Sequence, residues 1–313
     1  MLLIEQIDEL CERQLREWQL LRDNYAALDS LLTRELWLHD SEGKPCSRII
    51  LQHNPARVRS TAADLSTEAI KGRPCFLCSN NQPAEQEAVF WKSGDKRLYK
   101  IQVNPYPIFK RHLTISLTEH KPQICYCDDM IELAQQLPGH VIMYNGPRCG
   151  ASAPDHMHFQ ATTQDELPLC RELEARDSGG VDSCYGSSNE LWMDNRLMRQ
   201  LVYVRTHISN SAIVADMRIA LKASRHNALC WFRENMWHLV FFPRNLYRPA
   251  CYGEGEGQLL VSPAAAEYGG VWVLPRKCDF ESIDEQTLIS IYKELSYWDN
   301  QMRFLYDDYV RVN

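Results

Sequence analysis

The stretch "CGASAPDHMHFQA", residues 149–161, decides how the rest of the chain is read. It runs from a glycine-containing turn of small residues into two histidines with one residue between them. Successive side chains of a β-strand point to opposite faces. A strand over "HMHFQ" therefore puts His156, His158 and Gln160 on one face and Met157 and Phe159 in the core. Three polar groups then line one wall of a cleft. By itself a His-x-His pair is more often an exposed or hydrogen-bonded couple than a working site. Its meaning depends on what surrounds it.

Immediately upstream, "NGPRCGAS" at residues 145–152 follows one strand and precedes the histidine strand. Gly146 and Gly150 let backbone N–H groups approach a phosphate, Asn145 and Ser152 can donate to its oxygens, and Arg148 can add charge. An ordinary turn is the plainer reading. Further away, "RPCFLCSNNQP" carries Cys75-x-x-Cys78, a spacing at which two thiolates chelate one Zn²⁺ if two more ligands are found. There is no second C-x-x-C, so a Cys2His2 site is the simplest closure. Its histidines would come from His112, His120 and one member of the His-x-His pair.

The whole chain limits the possible functions. It has 313 residues, 45% of them hydrophobic, which suits one large or two modest domains. A formal charge of -7 argues against nucleic acid as a partner, because such binding needs a basic stripe to displace counterions. No apolar run approaches the roughly 20 residues that span a bilayer, so no membrane partner is expected. The start, "MLLIEQIDELCERQ", is too short in its apolar stretch and too acidic for a signal peptide, which points to a cytoplasmic location. Its 12 cysteines lack framework spacing and read as mostly reduced, buried thiols.

Periodicity supplies the elements. Apolar residues at steps of three and four from Ile4 to Leu28 predict one amphipathic helix. Residues 35–53 read as a hairpin, 98–118 as two strands around a proline-punctuated turn, "DDMIELAQQL" as a short helix and "HVIMYNGPRCG" as a strand ending in glycine. "TTQDELPLCRELEARDSGGVDSCYGSSNE" reads as a linker or surface excursion. Strands follow at 200–205 and 213–219, then a hairpin turning at Arg-Glu-Asn within "NALCWFRENMWHLVFFPR". "GGVWVLPRKCDFESI" reads as a strand and 283–308 as a closing helix. Strand, strand, helix, strand recurs in both halves, which suggests a distant duplication.

"CFLC" followed by Asn, then "NPYPIFKRHLTISLTEHKPQ", the Asn/Gly-rich loop and "HMHFQ" resemble the histidine-triad-related nucleotidyltransferases. These are the galactose-1-phosphate uridylyltransferases, the dinucleoside tetraphosphate phosphorylases and the GDP-hexose phosphorylases. The likeness covers roughly residues 70–165 and continues more weakly through "NALCWFRENMWHLVFFPR" and "SPAAAEYGGVWVLPRKCDFESI". The C-F-L-C motif is similar to the uridylyltransferases, whereas "HMHFQA" and "SPAAAEYGGVWVLPRKCDFE" look more like the GDP-hexose phosphorylases. The whole chain is similar to bacterial proteins grouped as a domain of unknown function.

The resemblance implies an α+β fold of two histidine-triad-like halves, each a mainly antiparallel sheet with flanking helices. Residues 1–165 would hold the chemistry, and 166–313 would add nucleotide or sugar contacts. It implies that His158 attacks the α-phosphorus of a nucleotide, that Gln160 donates to the phosphoryl oxygen, and that Asn145, Gly146, Arg148, Gly150 and Ser152 lie in or near the phosphate loop. Cys75, Cys78, His120 and His156 would hold a structural zinc. The expected substrate is a nucleotide sugar, GDP-hexose first, with phosphate or sugar phosphate as acceptor. Dinucleoside tetraphosphate phosphorolysis is the rival from the same chemistry, and a zinc-stabilised nucleotide-binding module without turnover the rival from another class. A homodimer is compatible with the family. One departure from the pattern stands out: Pro154-Asp155 lengthens the small-residue run before His156. Arg244, Arg276 and Lys277 follow apolar strands and read as phosphate contacts or solvated surface. His226 and His238 read as satisfied structural histidines.

Overall fold

The computed structural model describes residues 1–175, 189–194, 199–207 and 225–296, the 189–194 segment by its backbone only. The amphipathic start forms two helices, α1 (Leu3–Glu17) and α2 (Gln19–Ala27), rather than one. Trp18 is extended (φ −102°, ψ 106°) and breaks the run with its indole buried. The apolar period crosses this break unchanged. A hairpin follows, β1 (Leu32–His39) and β2 (Pro45–His53), then short helices α3 (Val58–Thr61) and α4 (Thr67–Gly72).

The N-terminal half continues with β3 (Val89–Lys92), β4 (Leu98–Val103), β5 (Leu113–Leu117), α5 (Cys127–Gln136), β6 (His140–Asn145) and β7 (His158–Thr163). The expected linker instead opens with the end of β7 and a 3-10 turn at Gln164–Glu166 and continues as α6 (Pro168–Glu174), which buries Leu169, Cys170 and Leu173; residues 176–188 lie outside the described residues. Proline at the helix start, where its missing N–H costs nothing, is the local reason. Then come β8 (Asn189–Asp194), β9 (Leu201–Thr206), β10 (His226–Arg233) and β11 (Met236–Pro243); the strand expected at 213–219 lies outside the described residues. The β10–β11 turn is two residues long, with Glu234 and Asn235 both at positive φ (52° and 61°) as a type I′ hairpin requires. The chain ends in α7 (Ala265–Tyr268), β12 (Val271–Leu274), α8 (Lys277–Ser282) and α9 (Glu285–Leu295). The strand expected over "GGVWVLPRKCDFESI" thus turns helical at Lys277. The closing helix stops at Leu295, and 297–313 lie outside the described residues.

The architecture is α+β. Among the described residues, nine strands form one antiparallel sheet in the order β3-β4-β5-β7-β6-β10-β11-β9-β8, and the strands of the two halves meet where β6 pairs with β10. A second sheet, β1-β2-β12, pairs the N-terminal hairpin with a parallel strand from the C-terminal half. Both faces of the large sheet are covered, so β5 and β6 are buried at every position, as near-continuous apolar strands require. One face packs Ile142, Tyr144, Cys230 and Phe159 with α5; the other packs Met143, Trp231 and Phe242 toward the small sheet and α9. Alternation along β7 sends Phe159 and Ala161 to the α5 side. His158 and Gln160 therefore face the small sheet, where the cleft lies.

Candidate active site and metal centre

β7 begins at His158, so His156 belongs to the turn before the strand. Both rings are nearly buried, and a backbone carbonyl fixes each tautomer. His156 Nε2 lies 2.8 Å from the Leu117 carbonyl, to which it donates, so Nδ1 carries the lone pair. That lone pair faces Cys75 Sγ at 3.2 Å and Cys78 Sγ at 3.6 Å, while His120 Nδ1 reaches Cys78 Sγ at 3.2 Å. The donor atoms of Cys75, Cys78, His120 and His156 all lie within 4.8 Å of one another. Two thiols and two imidazoles so placed fit a closed tetrahedral zinc site, with no ligand position left for water. They could hold a metal ion.

The surroundings support that loop. Cys78 N–H donates to the Cys75 carbonyl, Asn81 holds the same carbonyl, and the buried Lys100 ammonium donates to Ser79 and Gln82. Asp155, from the lengthened run before the histidines, accepts from Arg73 at 3.0 Å and lies 4.0 Å from His120 Nε2. A carboxylate behind a metal-binding histidine orients its ring. The two residues that depart from the family pattern thus put Asp155 beside the thiol–imidazole cluster.

His158 is bonded through the other nitrogen. Nδ1 donates to the His156 carbonyl at 2.8 Å, leaving Nε2 with the lone pair. Burial, partly offset by that carbonyl, pushes the ring's pKa down to about 4, so it is neutral near pH 7. On β5, Ser116 and Thr114 sit directly opposite His158 and Gln160. Gln123 clamps the strand ends. Its Oε1 accepts the His158 N–H at 2.8 Å, and its Nε2 donates to the Asn145 and His158 carbonyls at 2.9 Å each.

His112 joins the strand face rather than the thiols. Its Nδ1 accepts the Ile108 N–H and its Nε2 donates to Gln160 Oε1 at 3.0 Å. Burial first, and Arg57 second, push its pKa down to about 3. A neutral His112 therefore orients the Gln160 amide, leaving both its N–H groups to donate elsewhere.

The cleft is lined by Gln160, Asn145, Gly150 and Ser152 of the predicted set, together with Arg57 and Glu267. His158 lies on the same strand face but is not part of the lining. Asn145 Oδ1 accepts from Asn227 and from Ala265 N–H, so its amide nitrogen is free to turn to the cleft. Gly150 has φ 86°, and a Cβ there would lie 2.4 Å from Ala264 Cβ, so only glycine fits. Gly146 is pressed against the His226 carbonyl in the same way. Arg148 stands at the exposed tip of the turn (φ 57°), outside the cleft lining.

In the C-terminal half, Arg244 is fully buried and ties Asn227 to the Pro263, Leu246 and Tyr247 carbonyls. Arg276 is held by Asp279 through two contacts of 2.8 and 2.7 Å. Both are structural cations. His226 is buried, and His238 is buried with its Nδ1 at 2.6 Å from the Tyr203 hydroxyl. Gln123, Arg57 and Glu267 were not singled out by sequence. Gln123 closes the quoted "EHKPQ" motif, and Glu267 lies inside "SPAAAEYGG", but glutamines and charged residues in loops are usually solvated.

The sequence matches a family model described as "Domain of unknown function (DUF4922)" over residues 10–163. No curated protein matches it. Among solved structures, the chain is similar to yeast Ap4A phosphorylase Apa2 in complex with AMP, at 15% identity and a TM-score of 0.55, over 91% of this chain and 96% of that one. The same enzyme in complex with Ap4A gives 16% identity and a TM-score of 0.52, over 89% and 96%. At such identities the likeness shows a shared fold, and it extends through both halves. Among the described residues, no helix is long and apolar enough to cross a membrane.

Proposed function

We propose that the protein is a nucleotidyltransferase of the phosphorylase kind, working through a covalent nucleotidyl-histidine on His158. The observation that carries this reading is the pairing of a neutral His158 bearing its lone pair on Nε2 with a Gln160 amide whose N–H groups are left free by His112. In the first displacement Nε2 attacks the α-phosphorus; a P–N bond forms as the P–O bond to the leaving phosphate breaks. In the second, an acceptor oxygen attacks the same phosphorus and the P–N bond breaks. Gln160, Asn145, Ser152 and the N–H groups around Gly146 and Gly150 would receive the charge that spreads over the non-bridging oxygens. Arg148 would meet the outer end of a longer substrate.

Cys75, Cys78, His120 and His156 would hold zinc, which pins the 75–78 loop to the histidine turn. On this reading residues 1–165 carry the chemistry and 166–313 close the cleft. Free thiols at each of the described cysteines suit a reducing, cytoplasmic setting.

The favoured substrate is a dinucleoside tetraphosphate, since the similar fold extends over nearly the whole chain of an Ap4A phosphorylase. GDP-hexose, which the sequence motifs suggest, is the second reading. Incubation with phosphate separates them: ADP plus ATP from Ap4A supports the first, hexose 1-phosphate from GDP-hexose the second. Intact-mass measurement tests the mechanism itself. Wild type should gain one nucleoside monophosphate and His158→Ala none; an equal gain by both would remove His158 from the chemistry.

A further inference from the structure

Among the described residues that line the cleft, two carry charge, Arg57 from the turn after β2 and Glu267 from α7. The Glu267 carboxyl has a structural job. Oε2 accepts the Ala264 N–H at 2.8 Å, and Oε1 reaches the Val273 N–H at 3.5 Å. The same residue, Glu267, lines the cleft. Burial pushes the carboxyl up to about 7, against the opposing pull of those N–H groups and of Arg57. The titratable and charged groups around it are Arg57 from the turn, Tyr292 from α9 and, beyond Arg57, His112 just before β5. Arg57 Nη1 donates to the Tyr106 carbonyl at 2.8 Å, and no ion pair joins Arg57 to Glu267.

A carboxylate is out of place in a phosphate cleft unless it is protonated. Ionised, it repels phosphate; neutral, it donates a hydrogen bond to a phosphate oxygen. We infer that Glu267 is a binding residue of the acceptor subsite, donating its carboxyl proton to an oxygen of the phosphate that accepts the nucleotidyl group, with Arg57 supplying the positive charge opposite. This rests on the phosphorylase reading above. No covalent bond changes in this step. The proton stays on the Glu267 oxygen in an O–H···O contact, so an anion that binds to the ionised site draws one proton from solvent. Anion affinity is then full while Glu267 is protonated and declines once pH passes its titration.

Sulfate is the probe, because it is tetrahedral and does not titrate between about pH 6 and about pH 9, so any pH dependence comes from the protein. Calorimetric titration of the full chain should show sulfate affinity falling about tenfold per pH unit above about pH 7. In buffers of different ionisation heat at about pH 8 it should show uptake of about one proton per sulfate. Glu267→Gln keeps a cap oxygen and gains a permanent N–H donor, and should bind sulfate with no such slope. Wild-type affinity that is flat with pH, no proton uptake, or the same slope in Glu267→Gln overturns the inference. The proton count needs wild type alone, so it decides even if the variant fails to fold. The nucleotidyl adduct on His158 forms without an acceptor. An adduct without pH-linked sulfate binding would defeat this inference alone, and the absence of an adduct would defeat the reading beneath it.

Discussion

His156 and His158 are two residues apart, both nearly buried, and each is bonded to one backbone carbonyl at 2.8 Å. They use opposite nitrogens. His156 gives Nε2 to Leu117 and keeps Nδ1 toward the thiols; His158 gives Nδ1 to His156 and keeps Nε2. A neutral imidazole has one N–H, so the position of a carbonyl decides which lone pair is left for chemistry. On the proposed reading the two rings would serve two different electrophiles, a metal cation at His156 and a phosphorus at His158. The sharpest way to break this comparison is to remove one ring at a time. His158→Ala should lower turnover by at least about 10³-fold while retaining bound zinc. His156→Ala should lose the metal. If either variant shows the other's phenotype, the division of roles is wrong.

The next effect concerns Gln160, the proposed donor beside the proposed nucleophile. If its amide N–H receives the charge that develops on the phosphoryl oxygens, Gln160→Ala should lower kcat by about 10²-fold or more, with a smaller change in KM. A change confined to KM would make Gln160 a ground-state contact. Cys75→Ser acts from the other region. Elemental analysis should fall from about one zinc per chain to none, and activity by about 10 to 100-fold as the 75–78 loop loosens from the histidine turn. Wild type that is well folded and metal-free would show that the thiols and imidazoles are no metal site.

How far the two regions were legible in the sequence differs for a physical reason. Cys75 and Cys78 are uncommon residue types whose spacing implies chelation, the family resemblance implied His120 and His156 among three open histidine choices, and the structure brings all four donors together. The β10–β11 hairpin was legible as well, because two long apolar runs flank Glu234-Asn235. The helix break at Trp18 was not, since the apolar period continues through it with no proline or glycine to mark it. The first turn of α6 was hidden in a polar stretch whose buried residues, Leu169 and Cys170, join a core assembled from distant parts of the chain. The cleft was least legible of all. Arg57 and Glu267 become neighbours only because β12 pairs with β2 and carries α7 across, a tertiary event that no local pattern announces.

The smallest effect separates His112 from the thiol cluster and comes through pH. Burial, with Arg57 adding to it, holds the folded His112 pKa at about 3, whereas an unfolded histidine titrates at 6.5. The folded value is the lower one, so the contribution of His112 to stability is fully present above about pH 6.5 and is lost as pH falls toward 3. By about pH 5 the loss amounts to roughly 2 kcal/mol from this one ring. His112→Gln, which cannot protonate but keeps an amide that can reach Gln160, should show a shallower loss of denaturation midpoint on acidification, by about one proton's worth. It should also lower kcat by no more than about tenfold, because the Gln160 donor remains and only its orientation is less fixed. An unchanged acid slope would mean that the ring titrates in the folded state near its ordinary value. In that case it could not be the neutral group that leaves both Gln160 N–H groups free, and the tautomer argument would have to rest on His158 alone.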